Sequence, residues 1–127
     1  IDCGSSIDEE FDDFVFNSPK GMDISTLLCA SDIVISDYSS LIFEYSLLAR
    51  PMIFFAYDLE EYDKERSFYY PYRDFVPGDI VSNTSEIVES VLKTQSDFSP
   101  EKVNSFCKEF MNSCDGNSTK RILEWIK

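Results

Sequence analysis

Short apolar runs alternate with helix-forming segments through the first half of the chain, and that alternation limits the fold more than any other feature. Ile33-Val34-Ile35 is β-branched throughout, and Met52 to Ala56 is a second uninterrupted run. Runs this short, with no polar alternation, read as strands buried on both faces of a sheet. Between them, Leu41 to Ala49 reads as a helix that is apolar almost all round, ended by Arg50-Pro51. Upstream, Asp23 is placed to N-cap a helix over Ile24 to Ser31, with Ile24, Leu27 and Leu28 spaced for one buried face. Phe14-Val15-Phe16, stopped by Asn17-Ser18-Pro19-Lys20-Gly21, suits a brief buried strand. Strand, helix, strand, helix, strand with connections of a few residues is how a parallel α/β sheet is written. The predicted fold class is therefore α/β, a Rossmann-like parallel sheet flanked by helices.

The second half adds helices. Residues 57–79 form a long aromatic and charged stretch, predicted as an ordered, functional loop. Ile80-Val81 adds a short strand. Asn83-x-x-Glu86 has the spacing of a capping box, opening a helix to about Lys93. Ser99-Pro100-Glu101 opens another helix to about Asn112, with Pro at its first position. Asp115-Gly116-Asn117 breaks it, and Ser118 to Ile126 gives a last helix with Ile122, Trp125 and Ile126 expected to face inward. Residues 1–13, with six acids and no base, read as an acidic lead-in, and residues 14–127 as one domain. The chain opens on Ile1 and reads as a piece of something longer.

Composition removes several functions. With 11 Lys and Arg against 24 Asp and Glu, the net charge is −13, which disfavours nucleic acid or an anionic lipid surface as the main partner. No His is present, so Ser-His, Cys-His and His-metal chemistry confined to this chain is excluded. The apolar runs are too short for a membrane span, and no signal-peptide pattern opens the chain. Cys3, Cys29, Cys107 and Cys114 form no C-x-x-C pair, and the last two are spaced for one helix face. All four are expected to be buried, reduced thiols.

The residues most suited to chemistry cluster around Ser36-Asp37-Tyr38-Ser39-Ser40. A polar turn at the carboxyl end of a parallel strand, leading into a helix, is where α/β folds bind phosphates. Backbone N–H groups and the Ser39 and Ser40 hydroxyls would satisfy phosphate oxygens; equally, Ser39 can simply N-cap the helix. Glu44 is the only charged residue between Ser40 and Arg50. It lies one turn along from Ser40, about 5–6 Å away, a spacing that suits ribose hydroxyls donating to a carboxylate. The open alternative is that it marks an exposed helix edge. Arg66, in the long aromatic stretch, can pair with a diphosphate leaving group through its guanidinium, or stand as a solvated surface charge. Tyr62, Tyr69, Tyr70 and Tyr72 could shape a groove for an acceptor or simply pack the loop. Asp58, Glu60, Glu61 and Asp63 match no calcium-loop spacing, and no metal is expected.

The run from Asp23 to Glu44, with Asp37-Tyr38-Ser39-Ser40 at its centre, resembles the CDP-glycerol glycerophosphotransferase family of teichoic-acid primases and polymerases. The resemblance continues through Arg50-Pro51-Met52-Ile53-Phe54-Phe55, Tyr57-Asp58, Tyr62, Arg66, Pro77-Gly78 and Ile80-Val81, and ends weakly at Asp115-Gly116. It implies the C-terminal, donor-binding half of a GT-B fold. It also implies that Ser39, Ser40 and Arg66 bind the donor diphosphate, that Glu44 binds the ribose, and that Asp37 and Tyr38 support the site. The implied reaction transfers glycerol phosphate from CDP-glycerol to a hydroxyl of a lipid-linked wall or capsule polymer, releasing CMP, with no cofactor. The implied partners are the donor, the acceptor polymer and an N-terminal half carrying the catalytic His, without which this chain is expected to be inactive. The implied location is the cytoplasmic face of the membrane, as a peripheral protein. Ser67 stands where the family favours Gly after the Arg, and Glu44 where it often has Asp. Two other readings stay open: a GT-B glycosyltransferase using a UDP-sugar or CDP-ribitol, and a non-catalytic interaction module.

Overall fold

A computed structural model describes residues 14–126. The 1–13 lead-in and Cys3 lie outside the described residues. The described elements run in chain order α1 (Ile24–Ala30), β1 (Val34–Ser36), α2 (Leu41–Ser46), β2 (Met52–Phe55), α3 (Leu59–Arg66), α4 (Tyr72–Phe75), β3 (Asp79–Val81), α5 (Thr84–Asp97), α6 (Glu101–Phe110) and α7 (Ser118–Ile126).

The three strands pair in parallel, in the order β1-β2-β3. Ile35 sits opposite Ile53, and Phe54 opposite Ile80. The central strand carries the core because it is flanked on both edges: Met52, Ile53 and Phe54 are all buried. Around them pack Leu28 of α1, Ile42 and Tyr45 of α2, Tyr72 of α4, and Val103 and Phe106 of α6. Gly78, just before β3, is required by close approach. A Cβ there would stand 2.0 Å from the Met52 carbonyl oxygen, inside the backbone of the central strand.

Side chains satisfy polar groups at the helix ends. The α1 C-terminus is closed from the α2–β2 connection, where Arg50 Nη1 donates to the Cys29 and Ser31 carbonyls at 2.8 and 2.7 Å. The buried Tyr45 hydroxyl donates to the same Ser31 carbonyl at 2.9 Å. At the start of α5, Asn83 Oδ1 accepts from the Glu86 N–H at 3.0 Å, as a capping box requires. The returning Glu86 carboxylate accepts from the Ser82 N–H, one residue before the usual position. That helix runs on past the predicted Lys93 to Asp97.

Several expectations are corrected. Phe14-Val15-Phe16 forms no strand and is exposed, since a run of this kind needs a neighbouring edge to pair with. In α1 only Leu28 is buried, while Ile24 is exposed. Ile35 is 49 % exposed, because β1 is an edge strand among the described residues and only Val34 of its apolar residues turns fully into the core. The 57–79 segment is not a loop: it contains α3 and α4. Its charged and aromatic residues hid helices with weak apolar periodicity. Pro100 takes the N-cap position rather than the first helical one. Cys29 and Cys114 are exposed and Cys107 half-buried, and α6 ends at Phe110, so Cys107 and Cys114 share no helix. The α7 residues Ile122, Trp125 and Ile126 are exposed rather than inward.

Candidate functional site

The turn Asp37–Ser40 leaves the carboxyl end of β1 and enters α2. Asp37, Ser39 and Ser40 are exposed, whereas Tyr38 is half-buried. Ser39 Oγ accepts from the N–H of Leu41, the first residue of α2, at 3.3 Å, and it keeps its own proton to donate. Ser40 has helical backbone angles and makes no side-chain cap.

Asp37, Tyr38, Ser39 and Ser40 form one wall of a cavity of about 330 Å³. Phe68, Tyr69 and Tyr70 of the α3–α4 connection and Tyr72 of α4 form another wall, and Ile42, Phe43, Phe75 and Phe110 complete the lining. Tyr69 is 93 % exposed and stands at the mouth, edge-on to Tyr70 with ring centroids 5.1 Å apart. A larger cleft of about 580 Å³ between α4 and α6 shares Tyr70, Phe75 and Phe110 with this cavity but holds none of the sequence-predicted site residues except Tyr70.

Two phenols hold the turn to its surroundings. The Tyr72 hydroxyl donates to the Asp37 carbonyl oxygen at 2.8 Å, across 35 residues of sequence. The Tyr38 hydroxyl donates to Asp58 Oδ1 at 2.7 Å, and the Tyr38 ring stacks on Tyr62 with centroids 3.8 Å apart. Phe68 packs against Tyr38, Tyr62 and Tyr72 at 5.6, 5.4 and 4.9 Å. Burial holds both phenols well above the usual tyrosine range, with the Asp58 hydrogen bond adding for Tyr38 and the nearby Asp37 charge adding for Tyr72. Both therefore remain O–H donors at any physiological pH.

Glu44 and Arg66 are not among the residues that line this cavity. Glu44 sits in the first turn of α2 and is exposed, and Arg66 is the last residue of α3, also exposed. The sequence reading missed Asp58 and Tyr72 as partners of the turn. Both bonds span distant residues, so no local spacing announces them. After Arg66, Ser67 has φ +57° and ψ +141°, a backbone that glycine adopts far more readily, which is the residue the family favours there.

A family model described as CDP-Glycerol:Poly(glycerophosphate) glycerophosphotransferase matches residues 2–127. The chain belongs to this family. It is 40 % identical over 117 residues to a teichoic acid ribitol-phosphate primase of Bacillus spizizenii, covering 92 % of this chain and 30 % of that protein. It is 38 % identical over 122 residues to a teichoic acid glycerol-phosphate transferase of Staphylococcus aureus, covering 93 % of this chain and 31 % of that protein. Among solved structures it is similar to the wall teichoic acid polymerase TagF, with TM-score 0.77 and 33 % identity over 92 % of this chain and 29 % of that one. The α/β fold expected from the sequence is thus shared with a GT-B polymerase. A variant of that polymerase soaked with CDPG gives the same TM-score of 0.77. The chain spans about a third or less of the length of these glycerophosphotransferase-family proteins. No helix among the described residues is long and apolar enough to cross a membrane.

Proposed function

We propose that residues 14–127 are the nucleotide-donor-binding domain of a longer transferase. That transferase moves glycerol phosphate from CDP-glycerol to a hydroxyl of a lipid-linked wall or capsule polymer. The acceptor oxygen bonds to the phosphorus on the glycerol side of the diphosphate, the bond from that phosphorus to the bridging oxygen breaks, and CMP leaves. The acceptor proton passes to a base outside this chain, which has no His. The observation that carries the reading is the position of Ser39 and Ser40, at the carboxyl end of a parallel strand and on the wall of a cavity. Their hydroxyls would donate to the diphosphate, Arg66 would neutralise it from the end of α3, and Glu44 would accept from the ribose, with Asp37 and Tyr38 supporting the turn. The partners of the whole protein are then the donor, the polymer acceptor and an N-terminal half, and its place is the cytoplasmic face of the membrane as a peripheral protein.

The identity of 40 % to a ribitol-phosphate primase supports a second donor, CDP-ribitol, on the same site. Calorimetric titration of the intact protein with CDP-glycerol, CDP-ribitol, CDP and UDP separates these readings. The donor reading expects preference for cytidine nucleotides and weaker binding in both Glu44→Gln and Arg66→Ala. Equal binding of UDP would point to a sugar-nucleotide enzyme, and no nucleotide binding at all to a non-catalytic interaction module.

A further inference from the structure

The Asp37–Ser40 turn is short, solvent-facing and attached to a helix of only six residues, so its own backbone fixes it poorly. Two hydrogen bonds from outside fix it instead. One enters at its first residue, from the Tyr72 hydroxyl to the Asp37 carbonyl, and one leaves from its second, from the Tyr38 hydroxyl to the Asp58 carboxylate. Tyr72 is only 7 % exposed and its ring meets Phe54 of the central strand edge-on, so this tether is anchored in the core. Asp58 is the N-cap residue of α3, and its carbonyl accepts from the Glu61 and Tyr62 N–H groups at 3.0 and 2.9 Å, so the second tether is anchored on a helix. Tyr62, on the same helix, stacks on the tethered Tyr38 ring.

We propose that Tyr72 and the Tyr38–Asp58 pair are positioning residues, which hold Ser39 and Ser40 at a fixed distance from the aromatic wall of the cavity and so set the affinity for the phosphate-bearing donor. The proposal rests on the donor reading above and extends it to the residues that hold the turn in place. A hydroxyl bound by a phosphate oxygen tolerates little displacement, and a loosened turn must be re-ordered each time the ligand binds. The two tethers act on neighbouring residues of one turn, whereas Tyr38 and Asp58 share a single bond.

The test uses the intact protein with CDP-glycerol as probe and compares Tyr72→Phe, Tyr38→Phe, Asp58→Ala and Asp58→Asn with the wild type. Tyr57→Phe serves as the control, since Tyr57 is exposed and lies off the cavity. Each hydroxyl deletion keeps its ring and is expected to raise the donor Kd and KM about three- to tenfold, the worth of one hydrogen bond, with kcat within about twofold. Asp58→Asn, which still offers Oδ1 to the phenol, is expected to recover most of what Asp58→Ala loses. The Tyr38→Phe/Asp58→Ala double variant is expected to bind no worse than the weaker single one, because both remove the same bond. Amide exchange at residues 39–41 is expected to quicken in Tyr72→Phe and Tyr38→Phe. Folded variants that bind the donor as the wild type does, or leave that exchange unchanged, would overturn the positioning role while leaving the donor reading intact. A wild-type protein that binds no CDP-glycerol would overturn the donor reading, and the proposal with it.

Discussion

Helices α6 and α7 follow one another in the chain, and each carries an apolar stripe at helical spacing. Their fates differ. In α6, Val103 and Phe106 are buried and Phe106 and Phe110 meet Phe43 of α2 at 5.3 and 5.9 Å, with Phe75 of α4 closing the cluster. In α7, Trp125 is 93 % exposed and Ile122 and Ile126 stand in solvent as well. An amphipathic pattern states that a face is available for burial; it does not say that a neighbour lies within reach. Because α6 lies against the central elements, its aromatic face also walls the candidate site through Phe110.

The comparison can be broken most sharply in the core. Phe106→Ala is expected to cost about 3–5 kcal/mol in urea unfolding, because the side chain is buried among three aromatic neighbours and the space cannot collapse. Trp125→Ala in the same chain is expected to fall within about 0.5 kcal/mol of wild type. A large loss from Trp125→Ala would mean that the α7 face is covered after all.

A smaller effect separates packing from backbone preference. Ser67, which precedes the stacked Phe68, has φ +57°, where a side chain is strained. Ser67→Gly is expected to stabilise the domain by about 1 kcal/mol in the same urea titration, without changing Phe106's contribution. A destabilised Ser67→Gly would show that the corner is held by the serine side chain and not merely tolerated.

The smallest effect concerns how α7 is attached. Asp115 accepts from the Asn117 N–H at 2.9 Å and from Arg121 Nη1 at 2.8 Å, and these partners, the backbone N–H first, hold its carboxyl at about 2. A carboxyl held below its unfolded value of about 4 lends stability that is complete above that value and is lost as pH falls toward 2. Fluorescence anisotropy of Trp125, the single Trp, is expected to fall as α7 loosens over that acid range. Asp115→Asn should flatten the change, and an unaltered profile would show that the bonds at Asp115 do not hold the helix.

Much of the fold was legible locally. The strands β1 and β2, the Asn83–Glu86 cap and the Ser118–Ile126 helix follow from residue type and spacing, which act over a few residues. Helices α3 and α4 were not legible, because Leu59 to Arg66 offers little apolar periodicity and Tyr72 to Phe75 is a single turn stabilised by what it packs against. The same division runs through the site. Ser39 and Ser40 announce themselves by standing between a strand and a helix. Asp58 and Tyr72 do not, since their bonds to the turn span 20 and 35 residues.

The sequence by itself determined the parallel α/β class, the turn that carries the two serines, the absence of a histidine and the family likeness, because each is a property of composition or of neighbours in the chain. Only the tertiary structure decided which apolar faces find partners, that Gly78 must be bare against the Met52 backbone, and that two phenols brace the Asp37–Ser40 turn. Those outcomes depend on distances between residues far apart in the chain, and such distances come into being only when the core closes.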